Sequence, residues 1–232
     1  MMMMKRSLLP FFSIIFLSIL PTVGLAEIGR SEVMVQQSVN QRQVINQFIQ
    51  QLKKTDYESI TNAVQLLLLT GESAVPDLIL LLNDPRESVR WSAIKVLGSM
   101  GEASETAIPD LILRLKDPAI DVRSSAASVL GEMGKSNRSA VPYLIPLLKD
   151  SDKNTRLSAA TALGKMGESA KSAIPDLIIL LKDSPSVIAR AAWALGNIGE
   201  SAIPVLIPLL KDSDKNTRWG AVLALSKGLA RK

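Results

Sequence analysis

A proline returns along this chain at Pro76, Pro109, Pro142, Pro175 and Pro204, at intervals of 33, 33, 33 and 29 residues. Each is preceded by Ala two positions back and followed by Leu at +2, Ile at +3, Leu at +6 and Asp at +8. Five columns held over five units constrain the fold more than any single motif, because a unit of this length cannot bury its own apolar face and must be covered by its neighbours. A string of 13 residues, from Leu144 to Arg156, recurs verbatim from Leu206 to Arg218, as duplication would leave it.

Each unit reads as two helices. Ile108, Leu111, Ile112 and Leu115 fall on one helical face. Proline occupies the opening turn, where its missing N–H costs nothing, and Asp77, Asp110 and Asp176 follow at the positive end of the dipole. The second helix of the same unit turns Val122, Ala126, Val129, Leu130 and Met133 inward. Gly98, Gly131 and Gly164 make a thin place for packing, and Gly101, Gly134 and Gly167 close the helix where a positive φ is needed. The expected fold is all-α: an α-solenoid of about five to six stacked helical hairpins over residues 44–232. A more polar first unit, Val44–Lys54 and Glu58–Leu69, suits a terminal cap.

The units Ala107–Asp117, Val122-Arg123 and Ala126–Gly131 resemble HEAT repeats. The stretch Ala191-Ala192-Trp193-Ala194-Leu195-Gly196-Asn197-Ile198-Gly199 is similar to the short HEAT-like repeats first associated with phycobilisome lyases. Ankyrin and tetratricopeptide repeats share the period, but their signatures are not present. The resemblance implies a solenoid whose second helices line the concave side. It leaves function open, since such repeats serve as scaffolds, enzyme subunits and adaptors.

Upstream of the repeats, Lys5 and Arg6 precede 14 uncharged residues, Ser7 to Leu20, and then Pro21 and the small residues Gly24 and Ala26. Residues 1–26 are expected to be a signal peptide cut between Ala26 and Glu27, exporting the chain to the periplasm or beyond. An uncleaved anchor over Ser7–Leu25 is the alternative. Residues 27–43 form a polar lead-in. Removing the signal leaves 25 basic and 22 acidic residues, too balanced for a nucleic-acid binder, and no second segment suggests a membrane contact.

Chemistry is narrowed by composition. With no Cys and no His, disulfides, thiol nucleophiles, Ser/His/Asp triads and Cys/His zinc sites are excluded. Asp84/Arg90, Asp117/Arg123, Asp150/Arg156 and Asp212/Arg218 keep one spacing of six residues, but a device repeated in every unit reads as scaffold, each Asp capping the second helix and meeting an Arg of its own or the next repeat. Unit four departs, with Ile188 in the Arg column and Arg190 two residues later. Asp150, Asp152 and Asn154, like Asp212, Asp214 and Asn216, mimic the start of an EF-hand loop, but Thr155 and Thr217 stand where that loop needs Gly.

One face of the second helices varies from unit to unit and carries all three tryptophans. Trp91, Lys95, Leu157, Lys165, Arg190, Trp193, Trp219 and Leu223 are the candidate partner-binding residues on it. Burying one Trp against a partner is worth roughly 2 to 3 kcal/mol. The competing reading has Trp91 and Trp219 covering inter-repeat grooves or the end of the stack. The expected function is an exported, non-enzymatic adaptor that holds a protein or peptide, with no cofactor. The alternative, which the resemblance implies, is a lyase-like subunit handling a bilin chromophore.

Overall fold

The computed structural model describes residues 42–47, 49–50 and 71–229. The signal, the cleavage point, residues 27–41 of the lead-in and most of the polar first unit lie outside these residues. The short segment 42–47 is helical and belongs to a unit of its own; from Phe48 onward the chain forms a second unit, which holds the repeats.

Five hairpins make up the described part of the stack. Their first helices are α1 (Val75–Leu81), α3 (Ile108–Arg114), α5 (Val141–Leu144), α7 (Ile174–Ile179) and α9 (Ile203–Leu209). Their second helices are α2 (Glu87–Met100), α4 (Ile120–Glu132), α6 (Lys153–Met166), α8 (Pro185–Ile198) and α10 (Lys215–Leu229). No strand occurs among the described residues. The architecture is the all-α solenoid of stacked hairpins expected from the repeat.

Local chemistry sets the element boundaries. The repeat prolines stand at the start of each first helix. α5 gives way after one turn to the tighter 3-10 segment Ile145–Lys149, which holds a second proline, Pro146, whereas α9 continues through the equivalent Pro208. The first four second helices end at a glycine column; at Gly101 φ is +59° and at Gly199 it is +89°, conformations that a side chain would strain.

The core follows the repeat columns. Leu78, Leu111, Leu144, Leu177 and Leu206 are each 0–1% exposed, as are Leu82, Leu115, Leu148 and Leu181. Second helices pack along one another from unit to unit, whereas neighbouring first helices meet only sparsely. The small residues explain the difference. A Cβ at Gly131 would lie 2.4 Å from Ala162 Cα, and one at Gly98 2.5 Å from the Val129 side chain, so only glycine permits this approach.

Candidate binding surface

Between units, the repeated Asp and Arg form a ladder. Arg90 donates from Nε and Nη2 to the two carboxylate oxygens of Asp117, both at 2.8 Å. Its Nη1 bonds the carbonyls of Asp84 and Pro85 in its own turn, at 2.9 and 3.0 Å. Arg123 repeats this toward Asp150, and Arg156 toward Asp183. The arginine therefore serves the next repeat's Asp while clamping its own turn. The Asp does not cap the helix, contrary to the sequence reading: its Oδ1 accepts the backbone N–H of Ala119, Asp152 or Asp214 and so shapes the turn before the helix. Helix capping falls instead to Asp152 and Asp214, which accept from the N–H of Thr155 and Thr217 at 2.8 and 2.7 Å. The carboxylates that imitated a calcium loop, Asp150, Asp152, Asp212 and Asp214, are used in this way.

Burial pushes the Asp117 carboxyl up, but the hydrogen bonds from Arg90 and from the Ala119 N–H, together with the Arg90 charge, outweigh it and hold its pKa below the ordinary value. Asp150 and Asp183 are lowered by the same balance, through Arg123 and Arg156.

Unit four breaks the ladder. Ile188 fills the Arg column and is buried. The rung toward Asp212 is therefore missing, and Asp183 is held by Arg156 and not by Arg190, whose guanidinium lies over the Trp193 ring, 5.7 Å from its centre. Lys95 Nζ stands at the same distance over Trp91.

The predicted residues are brought together unevenly. Trp91 and Trp193 are half-buried, Trp219 is 44% exposed, and Leu157 and Leu223 are half-buried. Trp193 partly fills an inter-unit groove, since its ring occupies the space a Cβ on Gly164 would take. Its remaining surface opens on a cavity of about 500 Å³ lined by Ala189, Trp193, Leu223, Ser226 and Lys227. Lys165 differs from expectation: its Nζ lies 3.4 Å from Glu132, so part of the anticipated basic rim is matched within the protein. Lys95, Arg190 and Lys227 supply the remaining positive charge. An aromatic and apolar slot with cations beside it complements an apolar group close to a carboxylate. Among the described residues, no group of three or more His, Cys, Asp or Glu could hold a metal ion.

Two features escaped the sequence reading. The first helices expose Leu80, Leu113 and Ile179, one column in three of the five units with Pro146 and Pro208 in the other two, whose apolar character was legible but whose outward direction was not. At the far end of the stack, Arg218, Val222 and Leu210 occupy columns that are covered in the preceding units, and aligning those columns against the last hairpin would have found them.

Comparison with known proteins agrees with this architecture. The profile described as HEAT repeats matches residues 45–117, 108–189 and 174–228. No curated protein matches the chain. Among solved structures, an engineered protein is similar at a TM-score of 0.57 and 24% identity, covering 80% of this chain and 96% of that one. A designed armadillo repeat protein in complex with the peptide (KR)4 is similar at a TM-score of 0.56 and 21% identity, over 79% of this chain and 99% of that one. The complex of CpcE and CpcF of phycocyanin lyase from Nostoc sp. is similar at a TM-score of 0.54 and 29% identity, over 67% of this chain and 65% of that one. With the repeat columns, the hairpin stack and the profile all covering the same residues, the chain belongs to the HEAT-repeat family.

Proposed function

We propose that the chain is an exported, non-enzymatic adaptor that holds a protein or peptide along the surface of its second helices. A HEAT-type scaffold supports protein binding in general. What supports the finer reading is that Trp91, Trp193 and Trp219 fall in the variable columns of one second-helix face, with Lys95 stacked on Trp91 and Arg190 on Trp193. Export rests on the charged, apolar and small-residue order of residues 1–26. The test replaces Trp91, Trp193 and Trp219 together with Ala. A partner recovered through a photo-crosslink at this surface, then purified, is expected to bind the triple variant at least a hundredfold more weakly while helical circular dichroism is unchanged. Undiminished binding rejects the surface.

A second reading is favoured by the likeness to the CpcE–CpcF lyase complex: a subunit that handles a bilin while another protein is modified. The slot beside Trp193 would then receive part of the chromophore. Expression of the chain with bilin supplied tests this; a bound visible absorbance supports it, and its absence leaves the adaptor.

A further inference from the structure

The slot between α8 and α10 is supported from beneath. The inner edge of the Trp193 ring lies against the backbone of Gly164, where a Cβ would stand 2.5 Å from Cζ3. The Lys227 stem lies against Gly196 in the same manner, its Cβ and Cγ 2.8 and 2.9 Å from the place a Cβ would take. Ring and stem are each seated on a glycine of the preceding unit, so little of their freedom is left to lose when a ligand arrives. Ala189 and Leu223 add apolar lining, and the Ser226 hydroxyl is already spent on the Leu223 carbonyl at 2.9 Å.

Positive charge flanks this apolar interior. Arg190 stacks on Trp193, and Lys227 forms part of the lining. Neither has a carboxylate at ion-pair distance among the described residues, whereas Lys149 and Lys165 are matched by Asp176 and Glu132. In the variable columns of the second helices Glu132 is the one acid, and Lys165 occupies it. Three units earlier on the same face, Lys95 stands over Trp91, so the pairing of ring and cation recurs along the stack. Cations beside a half-buried apolar surface attract a carboxylate more strongly than the same charges in open water, and they select against a basic ligand.

We propose that the slot takes an acidic peptide segment of a partner protein: an apolar side chain enters beside Trp193 and Leu223, and the carboxylate of a neighbouring Asp or Glu lies between Arg190 and Lys227. The segment belongs to the partner that the adaptor reading supplies, and on that reading this assignment rests. It is internal to the partner's chain, since it continues along the face toward Trp91 and Lys95, where the same chemistry is offered again. A free chain terminus would use the slot alone.

The test is fluorescence anisotropy of labelled peptides titrated with the full chain. One peptide alternates Leu with Glu and is blocked at both ends. Its companions carry Gln for Glu, Lys for Glu, or Ser for Leu, and a further one is neutral but ends on Leu with a free carboxylate. The Leu/Glu peptide is expected to bind at least tenfold more tightly than each companion. Arg190→Gln combined with Lys227→Gln is expected to weaken it at least tenfold, and Trp193→Ala by a similar factor, with helical circular dichroism unchanged. Lys116→Gln combined with Lys182→Gln, which removes the same charge from exposed positions beside the first helices, is expected to change it less than twofold. Failure of the Leu/Glu peptide to bind, equal binding of the Gln, Lys or Ser companion, or undiminished affinity in the Arg190/Lys227 double variant overturns the proposal. So does tighter binding of the free-ended peptide, or a bilin that displaces the Leu/Glu peptide and is lost in the same variants. A photo-crosslinked partner that needs the three tryptophans yet binds through a neutral or basic segment refutes this assignment and leaves the adaptor reading standing.

Discussion

At the scale of single residues, each ladder arginine divides its donors between two units, so its loss acts on both. The Arg90–Asp117 pair is the most enclosed of the set, with Asp117 almost wholly buried. Removing one member leaves the other charge without its partner, and Asp117→Ala is expected to cost about 3 to 5 kcal/mol in urea-induced unfolding. Because the ladder carboxyls have lowered pKa values in the folded protein, their stabilisation is complete above the unfolded carboxylate range, near pH 3.9, and is lost as pH falls through the lower folded values. Melting temperature should therefore change little between pH 5 and pH 8 on account of these groups and fall below about pH 4. Asp117→Asn should lower the plateau and make the acid fall shallower. A plateau and acid slope identical to those of the unsubstituted protein would contradict the ladder's role.

At the scale of elements, the glycine columns set how closely second helices pack. Gly131→Ala drives a methyl into Ala162 and is expected to destabilise by about 1 to 3 kcal/mol, more if the helices cannot part. Gly101→Ala meets no atom within 4 Å but must hold a positive φ, so its expected cost, about 1 to 2 kcal/mol, comes from backbone strain alone. Urea unfolding of the two variants measures both costs. The two glycines were told apart in the sequence by position, one inside the second helix and one at its end. Helix order, the buried leucine columns and the irregular fourth unit were equally legible, because each is a departure from or agreement with a column. Which unit's Asp an arginine chooses was not legible: the spacing of six suggested a partner in the same repeat as readily as in the next, and only the relative placement of hairpins decides it. Nor was the Glu132–Lys165 contact, which joins residues of adjacent units and removes one of the predicted cations from the binding surface.

At the scale of the whole molecule, stability is a sum of hairpins and the contacts between them, so protection should follow how completely each hairpin is covered. Amide exchange is expected to be slowest in α4, α6 and α8, packed from both sides, and faster in α10, where Val222 lies open. Uniform protection from α4 through α10 would mean that α10 is covered after all. The candidate surface was partly visible from sequence: variation among second-helix positions singled out the tryptophans, while the slot beside Trp193 depends on Gly164 and Lys227 from neighbouring units and needed coordinates. The exposed leucines of the first helices offer a rival surface on the opposite side of the stack. The two are separated most directly by placing a photo-reactive amino acid at position 193 in one variant and at position 113 in another, and irradiating cells that express each. Efficient crosslinking to one partner from position 193, and little from position 113, is the predicted result. The reverse pattern would contradict the assignment of the second-helix face as the working surface.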